Sequence, residues 1–333
     1  MQVYQWADIA EDFTDGLVLG NGASISFDGE FGYASLRERA EADNLIEADV
    51  QLVFDHLATV DFELVLRMLW HANKINEALG IEEPRTAAAY FSVRDALIQV
   101  VRSIHVGYEQ VAERLPLAAH FMRHFSTVAS LNYDVLVYWA ILVGNMEGNQ
   151  HRFKDCFVDQ SRFRQPWSEL REPIPPATAT TIVGYPHGNL AIAADFAGDE
   201  RKLVAGGAKL LETIFHSWNS GNYGPVFVSE GTSAQKLASI RRSPYLTTMY
   251  GELLSYMRES VAIFGWSIGE SDLHLLDAIC HGGALRFAFA VDPDSPGLEH
   301  ETARVKALIV ERQAKAKVWF FDRASPGCWL VAP

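Results

Sequence analysis

Cysteine is scarce: the 333-residue sequence holds three, Cys156, Cys280 and Cys328, far apart and odd in number. Within one chain they build neither a disulfide framework nor a Cys-x-x-Cys zinc ribbon, which points to a reducing compartment. Long hydrophobic runs are missing too, since no apolar stretch reaches the ~18 residues of a membrane span. The opening MQVYQWADIAEDF is acidic where a signal peptide is basic and then apolar. A soluble, cytoplasmic protein is therefore expected. Basic charge is in deficit: 28 Lys and Arg stand against 42 Asp and Glu, for a net charge of −14. That balance argues against holding nucleic acid by counterion release across a broad basic face. Local basic spots remain at Arg162, Arg164 and the adjacent Arg241 and Arg242. Neither Gly nor Pro is in excess, and the length allows one large domain or two ordinary ones.

What is present is a series of short β-rich runs, at 17–19, 127–131, 181–183, 226–228, 261–264, 287–291 and 318–321. Most are continuously apolar rather than alternating, as in parallel strands covered on both faces. Helical stretches lie between several of them, so the expected fold is α/β, a Rossmann-like open parallel sheet with helices on both faces. From about 43 to 120 no strand is evident. Leu97, Val100, Val101, Ile104, Tyr108 and Val111 follow helical spacing, and Leu57, Phe62, Val65, Leu66 and Leu69 form a second apolar set. This predicts a helical insertion over 46–120, with Pro84 in the turn between its helices, and a sheet unit made of 1–45 and 121–333. The segment REPIPPA, 171–177, holds three prolines and predicts a loop.

The stretch GLVLGNGASISF, 16–27, sets Gly20, Asn21, Gly22, Ala23 and Ser24 directly after an apolar run. Two glycines there suit a tight strand-to-loop turn, or a backbone that comes close to a phosphate with helix N–H groups facing it. Asn132 and Asp134 follow the next run in VASLNYDVLVYWA; alone, they read as a turn or a helix cap. His187 and Gly188 follow a third run in TIVGYPHGNL, Gly265-Trp266-Ser267 follow a fourth, and the run RFAFAV stops at Asp292. All stand at strand C-termini of one predicted sheet, where such sheets bind ligands.

That order of motifs resembles the sirtuin fold and, more narrowly, the sirtuin-like NAD-consuming proteins of prokaryotic antiphage defence, over 1–45 and 121–333. The resemblance implies an NAD glycohydrolase, with NAD as substrate and no metal, that depletes NAD in abortive infection. It implies that Gly20, Asn21, Gly22, Ala23 and Ser24 form the pyrophosphate loop. Asn132 would position the nicotinamide ribose and the attacking water, Asp134 would hold the carboxamide, and His187 would be the general base. Gly265 and Ser267 would match a Gly-Thr-Ser turn near the ribose and phosphates, and Asp292 would contact the adenosine ribose. Gly231-Thr232-Ser233 spells that turn too, but the next strand and helix place the equivalent at 265–267. Control would come from homo-oligomerisation and a separately encoded activator such as a ring-forming ATPase. Two departures, the lack of four zinc-binding cysteines and the sequence FDGEF at 27–31, move the expectation from deacylation to cleavage of the cofactor. The alternatives are an ADP-ribosyl transferase or deacylase on the same fold, or a non-catalytic NAD or ADP-ribose sensor.

The residue types suit the reaction. Nicotinamide leaves NAD as a neutral molecule, so the demand falls on a ribose that develops oxocarbenium character. Asn132 offers a donor and an acceptor without charge, and a histidine, with a reference pKa of about 6.5, can accept a proton near neutrality. Other candidates read as structure. His120 and His124 share a helical face without a third ligand nearby; Glu270 and His274 read as a capping or surface pair. Cys280 reads as a buried helix end, 319–321 as a core strand and 41–49 as a solvated acidic face.

Overall fold

The computed structural model describes residues 2–32, 35–148, 150–158, 161–195, 197–228 and 230–333. Among them lie twelve strands: β1 (Gly16–Leu19), β2 (Thr127–Ser130), β3 (His151–Lys154), β4 (Phe157–Val158), β5 (Arg162–Phe163), β6 (Ala179–Gly184), β7 (Gly188–Asp195), β8 (Glu200–Lys202), β9 (Tyr223–Phe227), β10 (Ser260–Phe264), β11 (Arg286–Val291) and β12 (Lys317–Asp322). Seven form one sheet in the order β12-β11-β10-β1-β2-β6-β3, and every pairing in it is parallel. Helices flank this sheet, as in a Rossmann-like open fold. All residues of β1, β2 and β10 are buried, which is why these strands read as unbroken apolar runs. From β1 the chain moves to β2 on one side and later returns to β10 on the other. That reversal beside β1 opens a crevice at the strand C-termini.

The remaining strands form a second sheet, β4-β5-β8-β7-β9, whose pairings are antiparallel. This corrects the run at 226–228: Val226 and Phe227 close β9 and pair antiparallel with β7, not within the parallel sheet. A short apolar run reports burial, and burial is the same for either direction. Three residues separate β6 from β7, so the chain turns from one sheet into the other at Tyr185-Pro186-His187. Gly188 makes the turn possible, with φ +79° and a Cβ that would fall 2.2 Å from Val226 O.

Between β1 and β2 the described residues are helical, with helices at Leu36–Ala42, Ala48–His56, Phe62–Leu79, Pro84–Ile104, Tyr108–Val111 and Leu115–Met122. The helix Phe62–Leu79 starts on Asp61, whose carboxylate accepts from Leu64 N at 3.0 Å, and stops on Gly80 in the left-handed region. Pro84 does not sit in the preceding turn; it opens the next helix at its first position, where no N–H is needed. No helix among the described residues is long and apolar enough to cross a membrane.

Candidate functional site

The glycine loop after β1 interlocks with the loop after β10. Gly20 N donates to Phe264 O at 2.9 Å, Gly22 N to Gly265 O at 2.8 Å, and Ala23 N to Gly20 O at 2.9 Å. A Cβ on Gly20 would lie 2.6 Å from Gly265 O, and one on Gly22 would lie 2.7 Å from Gly265 Cα. Gly265 itself has φ +72°, and its Cβ would meet Ala23 N at 2.3 Å. Three glycines thus let two strand-end loops touch backbone to backbone. Three of the N–H groups expected to face a phosphate are spent on these contacts.

Ser24, in the one-turn helix Asn21–Ile25, is buried and ties this loop to the end of β2. Asn132 Nδ2 donates to Ser24 Oγ at 2.7 Å and to Gly20 O at 2.9 Å. Ser24 Oγ in turn donates to Asp134 Oδ2 at 2.5 Å. The other carboxylate oxygen of Asp134 accepts from Leu136 N at 2.9 Å. Because Gly20 offers only a carbonyl, the orientation of the Asn132 amide is set, and Oδ1 is left for a ligand. Burial raises the Asp134 carboxyl above its usual range, while the nearby His105 and the bond from Ser24 pull it back. Both Asp134 oxygens are therefore engaged by the protein, which makes this residue a clamp on the loop.

His187 is buried on the turn between the two sheets. Its Nε2 lies 3.3 Å from Nε2 of His274, and its ring also serves the Leu131 carbonyl. His274 Nδ1 lies 3.0 Å from Ser233 Oγ. The His274 ring also serves the Ser271 carbonyl, so the direction of each bond in this chain follows the tautomers of the two rings. Asp272 Oδ1 is 4.0 Å from His187 Nε2 and 2.8 Å from Lys236 Nζ. Burial pushes His187 down to about 3 and His274 to about 4; Asp272 opposes both shifts and Lys236 adds to both. Both imidazoles are neutral across the physiological range.

These groups open onto one crevice of about 250 Å³. Gly20, Asn21, Asn132, Asp134, His187, Gly265 and Ser267 all line it, whereas Gly22, Ala23 and Ser24 stand behind the lining. Asp292 stands apart from the crevice: its carboxylate pairs with Arg323 at 2.6 Å and accepts from Asp294 N. It lies at the end of β11, and β10 separates that strand from β1. An adenosine-ribose contact from Asp292 at this crevice is thus without geometric support.

Lys236, Asp272 and Trp266 line the crevice, and His274 lies directly behind His187. None of these four was expected as a site residue. His274, read as a surface or capping residue, is only 4% exposed. Gly231-Thr232-Ser233, set aside as a repeat of the turn's letters, starts the helix Ser233–Ile240 that carries both Ser233 and Lys236. The sequence held one signal for that helix, the capping box Thr232-x-x-Gln235, which forms. Trp266 Nε1 is buried with no hydrogen-bond partner, an orphan donor in the crevice wall.

Among the described residues no cluster of three or more His, Cys, Asp or Glu could hold a metal ion. No curated protein matches the chain. A domain family of unknown function, DUF4917, matches residues 17–329, from β1 through the segment after β12. The chain that carries this crevice belongs to the DUF4917 family.

Proposed function

We propose that the crevice cleaves the nicotinamide–ribose bond of NAD, releasing nicotinamide and ADP-ribose. The observation that carries this reading is the convergence of Asn132, Asp134 and His187 with the Gly20 and Gly265 loops on one crevice at the sheet's C-terminal edge. Asn132 Oδ1 accepts from a ribose hydroxyl or the attacking water, its amide held still by Gly20 O and Ser24 Oγ. Asp134 acts through Ser24 as a positioning residue. Lys236, the one lysine or arginine among the described lining residues, is held by Asp272 at 2.8 Å and leaves that pair to meet the pyrophosphate charge. The orphan Trp266 N–H offers that ligand a hydrogen bond.

Water attacks ribose C1′, the C–N bond breaks, and its electron pair leaves with neutral nicotinamide. The oxonium so formed is a far stronger acid than an imidazolium of pKa about 3, so even the weakly basic His187 can take its proton, at the expense of the contact with His274. Incubating the chain with NAD, together with the activator this reading expects, and separating the products tests the proposal. Free ADP-ribose and nicotinamide from wild type, with at least about a hundredfold less from His187→Ala, is the expected result. ADP-ribose attached to polypeptide would mean transfer, and binding without turnover would mean a sensor.

A further inference from the structure

A second cavity, of about 200 Å³, lies on the helical side of β9, and Val228 contributes to both its wall and that of the crevice. The helix Phe62–Leu79 gives it Glu63, Arg67 and Trp70, spaced four and three residues apart and so on one face. Arg242, Tyr90 and Trp218 come from three other segments. Among the described residues, both carboxyl oxygens of Glu63 and Trp218 Nε1 are buried without a hydrogen bond of good geometry, although the Asp61 carboxylate lies beside Glu63. Burial, with the Asp61 and Glu230 carboxylates nearby, holds the Glu63 carboxyl well above its usual range. Arg67 is half-buried, and neither it nor Arg242 makes an ion pair among the described residues. Arg242 is close enough that, after burial, its positive charge is the main influence lowering the Arg67 pKa. The other carboxylates of the wall, Asp61, Asp195 and Glu200, accept from neutral donors and form no ion pair with either guanidinium among the described residues, although Asp61 and Glu63 offset part of the charge on Arg67. Arg94, also in the wall, is satisfied by Asp95 at 2.9 Å.

We propose that this cavity binds a nucleoside monophosphate, with Arg67 and Arg242 on the phosphate, Trp70 and Tyr90 beside the base, and the Glu63 carboxyl and Trp218 Nε1 meeting the polar edge of the base. Two neighbouring guanidiniums that form no ion pair among the described residues suit an anion, and the planar fork of arginine suits phosphate. Aromatic walls call for a flat ring. A buried carboxyl and a buried indole N–H without good hydrogen bonds among the described residues suit the polar edge of a nucleobase, which a plain aromatic acid lacks.

The test is calorimetric titration with AMP, GMP, CMP and UMP, each against its nucleoside and against inorganic phosphate, with tryptophan fluorescence in parallel. At least one nucleotide binds, and its nucleoside and inorganic phosphate each bind at least about tenfold more weakly. Arg67→Gln and the solvent-exposed Arg242→Gln each weaken nucleotide binding by about tenfold or more, while Asn132→Ala, at the crevice, leaves it unchanged. No binding by any of the four at about 1 mM overturns the proposal. So does binding that survives both arginine substitutions or disappears with Asn132→Ala. NAD cleavage is read separately, so either reading can fail without the other.

Discussion

Ser24 Oγ takes a hydrogen bond from Asn132 and gives one to Asp134, so Ser24→Ala strands a buried amide N–H and a buried carboxylate oxygen together. Losing both partners should cost about 2–4 kcal/mol in urea denaturation and also lower NAD turnover, because the Asn132 amide is no longer held. The histidine pair makes a pH prediction. Imidazoles titrate near 6.5 in an unfolded chain but near 3 and 4 at His187 and His274 here. Between those values the unfolded state binds more protons, so this contribution to stability is complete above about pH 6.5 and is lost as pH falls toward 4. The melting temperature should drop between pH 7 and 5, and His274→Asn should flatten part of that drop. A drop unchanged by His274→Asn would remove His274 from this account. Sequence reading found His187 because a strand end marks it. Its partner escaped, because Glu270 and His274 sit at ordinary helical spacing and only the tertiary fold brings His274 to 3.3 Å from His187.

At the scale of elements, the two glycine loops behave as one interlocked piece. Gly265→Ala forces a left-handed residue to carry a Cβ 2.3 Å from Ala23 N, and should destabilise by on the order of 3 kcal/mol or more. Gly221 has a similar φ, +70°, but open space around it, so Gly221→Ala should cost only about 1–2 kcal/mol. Equal losses in urea midpoints would show that backbone conformation, rather than loop contact, accounts for Gly265. The strands of the parallel sheet that are covered on both faces were legible as apolar runs. β3 was not: it is an edge strand reading His-Arg-Phe-Lys. In the antiparallel sheet, β4 and β5 are two residues long and β8 is Glu-Arg-Lys, too short or too polar to leave a period. β7 carries Ala191, Ala193 and Ala194, residues whose intrinsic preference is helical, and pairing on both sides overrides that preference.

Across the whole molecule, the helical segment and the sheet share one continuous core, in which Phe54, Phe62, Val93, Leu97 and Val101 belong to the same buried cluster as Leu17, Val18 and Phe264. Excising 46–120 should therefore leave a chain that binds hydrophobic dye and loses near-ultraviolet circular dichroism, whereas a cooperative urea transition in the excised chain would show the sheet to be self-sufficient. The crevice and the second cavity meet at Val228, a residue just after β9 that lines both. The central claim remains the chemistry at the sheet's C-terminal edge, and its most direct test is NAD turnover by wild type beside Asn132→Ala, with the fold of both checked by circular dichroism. With the activator this reading expects present, the account predicts release of nicotinamide by wild type and at least about a hundredfold less by the variant. Equal turnover by a folded Asn132→Ala protein would contradict it.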